Sequence, residues 1–212
     1  MEYSELIKER EEANNLQTMA EEALAEEYDI TGYHFLNTTL ENLSLEIIEF
    51  RDDFFDNCRF QQCEFHGIYF ENTIFQKCDL SNVDLSGCVF RRVCFENCKA
   101  VGANFAEAVF DHVTLRNCNC RMANLSSAKM KNVLFEDTDF SGGVLQQCAM
   151  KQIRFQSCSL VQAELLQTPL KGIDLTSCDI EGILLSGPEL QGAVVTAVQA
   201  CELSRFLGLI IH

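Results

Sequence analysis

The sequence predicts an all-β solenoid, in which short backbone units coil and stack into a rod. Three observations predict it. A large apolar residue recurs every five positions, a small one recurs two places before it, and the unit is too short to bury its own apolar side chain. The stretch FENTIFQKCDLSNVDLSGCVF, residues 70–90, shows the first, with Phe70, Phe75, Leu80, Leu85 and Phe90. A strand repeats its faces every two residues and an α-helix about every 3.6, so neither accounts for a step of five.

The step holds from Phe35 to Val195 without an insertion or deletion. Its 33 positions hold fourteen Phe, thirteen Leu and two Met, with Ala100, Cys120, Ile180 and Val195 as the rest, so no charged or amide side chain interrupts it. The second column runs Cys58, Cys63, Ile68, Thr73, Cys78, Val83, Cys88, Val93, Cys98, Ala103, Ala108, Val113. The other three positions of each unit carry Asn, Asp, Gly, Ser and charged residues, many of them turn formers. Units this short reach stability only by stacking, with coils ~4.8 Å apart and backbone groups paired between them. Truncating a central side chain, as in Phe105→Ala, is expected to cost about 3–5 kcal/mol by leaving a cavity.

The ends break the period and predict two further segments around the repeat region of residues 31–196. Residues 1–30 are expected to form an acidic helical cap. Leu6, Ile7, Ala13, Leu16, Ala20, Ala23 and Leu24 fall at helical steps, Asn14-Asn15 marks a break between two short helices, and Thr18 with Glu21 resembles a capping box. Such a cap plugs the open coil edge, which otherwise invites aggregation. Residues 197–212 predict a helix with Thr196 and Gln199 as its capping box, Gly208 as its stop, and an apolar tail, LIIH.

Composition excludes several classes. The net charge is -16, which opposes direct contact with phosphate backbones. The first residues lack a signal-peptide pattern and no apolar run reaches the ~20 residues of a membrane span, so a cytoplasmic protein is expected. His34, His66, His112 and His212 are scattered, and no phosphate-binding glycine loop, zinc-type Cys pair or EF-hand is present. No enzyme, catalytic residue, metal site, cofactor or small-molecule substrate is expected.

The units CDLSNVDLSGCVF and ANLSSAKMKNVLF resemble the A-(D/N)-L-x-x units of the pentapeptide repeat family, over residues 33 to 195. The resemblance implies a right-handed quadrilateral β-helix with four units per coil, hence about eight coils and a rod of roughly 40 Å. Under four units per coil, Cys58, Cys78, Cys98, Cys118, Cys158 and Cys178 form one line, interrupted by Thr138. Their spacing is within disulfide reach, but buried cytosolic thiols act as small reduced hydrophobes, so packing is the expected role. The same grouping puts Glu46, Glu64, Asp84, Glu107 and Glu164 on one face with no Lys or Arg. Arg91, Arg92, Lys129, Lys131, Lys151 and Lys171 fall on another.

The tail LQGAVVTAVQACELSRFLGLII is similar to that of Qnr-type and MfpA-type members, and the unbroken register resembles their loopless, Gram-positive Qnr-like branch. That resemblance implies a homodimer through Val198, Cys201, Leu203, Phe206, Leu207, Ile210 and Ile211. It also implies a DNA-like acidic rod that binds DNA gyrase, and often topoisomerase IV, with inhibition or fluoroquinolone protection as the outcome. The acidic-face residues would then be the partner-binding set. A scaffold solenoid with a merely solubilising acidic face is the alternative.

Overall fold

The computed structural model describes residues 10–208 except Ile47. Its core is a four-sided parallel β-helix in which every strand pairs with the one twenty residues on. Phe50 lies in register with Phe70, Phe55 with Phe75, Leu40 with Phe60 and Leu45 with Phe65. These four ladders define the faces, named here by Phe50, Phe55, Phe60 and Phe65. From Asp79 and Asp84 on, the Phe60 and Phe65 ladders reduce to single bridges, and the step of twenty persists to Asp174 and Val194.

Local chemistry explains the corners. From Gly32 to Gly172 every described residue two places after a column centre has positive φ, between 48° and 81°. That left-handed turn carries the chain from one face to the next and favours Gly and Asn over branched residues. Corner amides then bond down the rod, as Asn57 Nδ2 does to Asn37 Oδ1 (2.6 Å) and Asn117 Nδ2 to Asn97 Oδ1 (2.8 Å).

The interior is a set of stacked columns. Phe55, Phe75 and Phe95 lie 4.8 and 4.9 Å apart, ring on ring, and Phe50, Phe70 and Phe90 stack at 5.2 and 5.3 Å. Edge contacts such as Phe70–Phe75 at 5.4 Å tie the columns together. The small column does more than fill space. Cys58, Cys63, Cys78, Cys88 and Cys98 each donate from sulfur to the carbonyl 23 residues earlier, at 3.1–3.3 Å. Thr73 and Thr138 donate the same bond from oxygen at 3.3 Å, which explains why Thr stands in for Cys. Burial holds the Cys88 thiol up to about 12 and Cys148 up to about 11, so both keep the proton they donate.

The N-terminal cap differs from the helical pair expected. Glu11–Ala13 is a strand, pairing in parallel with Tyr33–Leu36 so that Ala13 sits over Phe35. It covers backbone groups that the first coil would leave open. Helix α1, Leu16–Glu26, follows and buries Leu16, Ala20 and Ala23 against that coil. Its N-cap is Asn15, without a side-chain bond, so Thr18 lies inside the helix and makes no capping box with Glu21. Leu6 and Ile7, the start of the expected helical pattern, lie outside the described residues.

Asp53 is a carboxylate in the inward column, fully buried at this end. One oxygen accepts the Tyr33 N–H at 2.8 Å, and the other has no partner. Burial pushes its pKa up to about 8, against the backbone N–H groups of Tyr33 and Gly32 and the charge of Arg10, with Asp52 adding to the rise. The folded chain therefore keeps a proton that the unfolded chain releases near ~4. Stability from the neutral form is whole below that value, falls as pH rises, and reaches its floor above about 8. The urea midpoint should drop from pH 5 to pH 9 in the native chain and drop less in Asp53→Asn. Equal slopes would contradict this assignment.

Candidate partner-binding surfaces

The Phe65 face gathers Glu46, Glu64, Asp84 and Glu107 on successive coils. Ser44–Glu46 pairs with Glu64–His66, and Glu64 continues through Asp84, Asn104, Asn124 and Val144 to Glu164 and Leu184. Glu46, Glu64 and Glu107 are exposed, the last at a corner with φ of 60°. Asp84 is half-buried and engaged locally, accepting from the Ser86 N–H at 2.9 Å and Asn104 Nδ2 at 3.0 Å. Glu164 is half-buried too and accepts from Gln146 Nε2. It stands apart from the acidic run, between Val144 and Leu184, where the face turns apolar.

The Phe50 face has the opposite character. In its N-terminal half Glu71 lies 3.3 Å from Arg51 and 3.9 Å from Arg91, and also bonds Arg92. Further along, Lys131 lies in register with Lys151, and Lys129 with Ala149. Like charges stacked this way repel. Among the described residues Lys129, Lys131, Lys151 and Lys171 make no ion pair.

The C-terminal end is closed by helix α2, Ala197–Leu203. Its capping box is complete, with the Thr196 hydroxyl accepting from the Gln199 N–H and the Gln199 side chain accepting from the Thr196 N–H. The same Gln199 donates to the carbonyls of Leu175 (2.8 Å) and Cys178 (2.9 Å), pinning the helix to the last coils. The residues implied for a dimer divide here. Val198 is 73% exposed and Cys201 is exposed, whereas Leu203 is buried against the chain's own end and Phe206 is half-buried. Leu203 lines an apolar cleft of ≈ 550 Å³ with Pro188, Leu190, Ala193 and Val195. The Leu207 side chain, Ile210 and Ile211 lie outside the described residues.

The remaining candidates do not converge. His66 lies 3.7 Å from Glu64, His112 lies 2.9 Å from Asp111, and His34 stacks on Phe54 at 4.5 Å. Among the described residues no group of three His, Cys, Asp or Glu is placed to hold a metal, and no helix is long and apolar enough to cross a membrane. Sequence reasoning missed Asp53, whose signal was a carboxylate at an inward position. It also missed the thiol hydrogen bonds, signalled by the exchange of Cys and Thr in one column.

The family model for the pentapeptide repeat region matches residues 48–125 and 68–142. No curated protein sequence matches the chain. Among solved structures, full-length QnrB1, a plasmid-mediated fluoroquinolone resistance protein, shares 19% identity over 94% of this chain and 95% of its own, with a TM-score of 0.57. HetL, involved in heterocyst differentiation regulation in the cyanobacterium Nostoc sp. strain PCC 7120, shares 16% identity over 79% of this chain and 86% of its own, with a TM-score of 0.46. At such identity the QnrB1 likeness speaks for the fold. With the unbroken five-residue register and four twenty-residue ladders already described, residues 48–142 are a pentapeptide repeat region, and the chain carries it as a β-helix of the kind seen in QnrB1.

Proposed function

We propose that this chain is a DNA mimic that binds a type II topoisomerase, DNA gyrase first and topoisomerase IV second, and modulates the enzyme or shields it from fluoroquinolones. The observation that carries the reading is the run Glu46, Glu64, Asp84 and Glu107 on one face of the β-helix, with no Lys or Arg on that face. Residues 31–196 hold 21 acids and 13 bases, a net of -8. Over roughly 40 Å that is one net charge per ~5 Å, against about one per 1.7 Å along duplex DNA, so the likeness rests on the acids being gathered on one face rather than on the mean density. The twenty-residue register sets those charges on successive coils, as a competitor for a basic groove requires. Low-micromolar protein should change gyrase supercoiling or restore it in the presence of a quinolone. Indifference of both gyrase and topoisomerase IV would remove the proposal.

Dimerisation through the C-terminal end belongs to the same reading, because it doubles the rod. The outward Val198 and Cys201 on α2 fit it, together with the apolar tail beyond Gly208. Leu207→Glu should give a folded monomer by light scattering after sizing, and Val198→Glu should weaken the dimer. An oligomer unchanged by both would place the interface elsewhere.

A scaffold role is the second reading. Asp84 and Glu164 favour it, since both carboxylates are partly buried and satisfied within the chain.

A further inference from the structure

The backbone pairing of the coils is interrupted at one place. The strand Ala149–Gln156 pairs with Lys129–Glu136 on one side, and among the described residues no bridge joins it to residues 169–176 of the following coil. The gap runs across the Phe50 and Phe55 faces together. The other two faces stay joined there, through Ser159 with Asp179 and Glu164 with Leu184, and the Phe55 face pairs again between Asp174 and Val194. Proline is one cause. Ala149 donates its N–H to the Ala128 carbonyl, whereas Pro169, twenty residues on, has no N–H to give the Cys148 carbonyl. The Thr168 hydroxyl is wedged in instead, accepting from the Cys148 N–H at 2.9 Å and donating to the Leu145 carbonyl at 2.6 Å.

Cys178 lies just past the corner where this gap ends, and it differs from the other thiols of the inward column. Eight of them, Cys158 included, donate to the carbonyl 23 residues earlier. The matching acceptor for Cys178 is the Phe155 carbonyl, across the gap, and the bond is not made. Cys178 is also 8% exposed, against 0–3% for the other eight. Its neighbour is Cys158. Ser159 bridges Asp179, and the Asp179 N–H donates to the Cys158 carbonyl at 2.9 Å, so the two cysteines sit side by side on successive coils. Their backbones are then ~4.8 Å apart, within the Cα separation of about 4.4–6.8 Å that a disulfide spans. Contact with the Cys158 thiol favours the Cys178 thiolate and draws its pKa down, while the same contact and burial raise Cys158. Cys58, at the far end of the line, is drawn down in the same way by Cys78 but is 0% exposed and committed to the Phe35 carbonyl. Thr138 separates the Cys158–Cys178 pair from the run Cys58 to Cys118.

We propose that Cys158 and Cys178 are a peroxide-sensitive disulfide latch between the two coils that backbone pairing leaves half-joined. Peroxide oxidises the Cys178 thiolate to a sulfenic acid as its O–O bond breaks and hydroxide leaves. The Cys158 sulfur then attacks the sulfenic sulfur and displaces the second oxygen. Two thiols and one hydrogen peroxide give one disulfide and two waters, with two electrons passing from sulfur to oxygen. A cytosolic thiol pool would return such a bond to the reduced state, which makes it a transient mark. Its position gives it a consequence. Gln199 of α2 donates to the carbonyls of Leu175 and Cys178, so the coil that the latch ties down is the one from which the terminal helix hangs. This inference is independent of the topoisomerase reading.

The test maps the bond directly. The full chain is reduced, freed of reductant and treated with a small excess of hydrogen peroxide near neutral pH. Remaining thiols are blocked with N-ethylmaleimide, and a tryptic digest is mapped without reduction. Cleavage after Lys171 puts the two cysteines on separate peptides, and fragment ions tell Cys178 from Cys201. The Cys158–Cys178 link should form at least tenfold faster than any link among Cys58, Cys78, Cys98 and Cys118, and dithiothreitol should reverse it. Cys178→Ser should leave Cys158 reduced, and Cys158→Ser should leave a sulfenic acid at Cys178 that dimedone traps. Links spread evenly along the line, a link from Cys178 to Cys201, or sulfinic acid at Cys178 beside a free Cys158 in the native chain would each overturn the proposal.

Discussion

Phe75→Ala is expected to lower stability by about 4–5 kcal/mol, more than any single change on the outer surface. Phe75 stacks on Phe55 at 4.8 Å and on Phe95 at 4.9 Å, and meets the edges of Phe70 and Phe60 at 5.4 and 6.3 Å. Removing the ring leaves a cavity that the ladders cannot close, because Ile74, Phe75 and Gln76 are held in register on both sides. Phe105→Ala should cost less, about 3 kcal/mol. Phe105 stacks face to face on no ring: it meets Phe90 and Phe95 edge-on at 6.0 and 6.5 Å and Phe110 tilted at 5.8 Å. Urea denaturation followed by circular dichroism orders the two. Equal losses would mean that ring stacking adds nothing to cavity formation.

The second large effect concerns function. Glu64→Lys/Asp84→Lys/Glu107→Lys moves the net charge from -16 to about -10 and reverses the centre of the acidic run. A DNA mimic should lose at least tenfold in its effect on gyrase, and a scaffold should be indifferent. Glu164→Lys serves as the control. It lies among Val144, Leu166 and Leu184, away from the run, and should change the effect by less than threefold. The triple variant should still fold, since Glu64 and Glu107 are exposed; Asp84 gives up its bonds to Ser86 and Asn104, a local loss.

How much of this was legible in the sequence depends on the range of the interaction. The coil was legible because its period repeats over 33 units, and a covalent step of five maps directly onto a spatial one. The cap at Thr196 and Gln199 was legible because both partners lie within one helical turn. The strand at Glu11–Ala13 was not, because three residues carry no periodicity and their pairing with Tyr33–Leu36 is long-range. For the same reason Thr18 and Glu21 matched a capping pattern while the helix began earlier, at Leu16, with Asn15 as its N-cap. Faces were readable only once four units per coil was supplied. Even then, burial of Asp84 and Glu164 by neighbouring side chains was beyond a charge count. Burial of Phe54, Ile74 and Cys94 ran against the pattern altogether, since the period assigns them to the outside.

Competition for the enzyme tests the central claim most directly. Gyrase is bound to a fluorescent duplex, and the purified protein is titrated in while anisotropy is followed at two salt concentrations. A rod that occupies the DNA groove releases the duplex fully, needs more protein at the higher salt, and loses the effect when Glu64, Asp84 and Glu107 are reversed. A ternary complex of enzyme, duplex and protein, or a duplex that stays bound throughout, would contradict it.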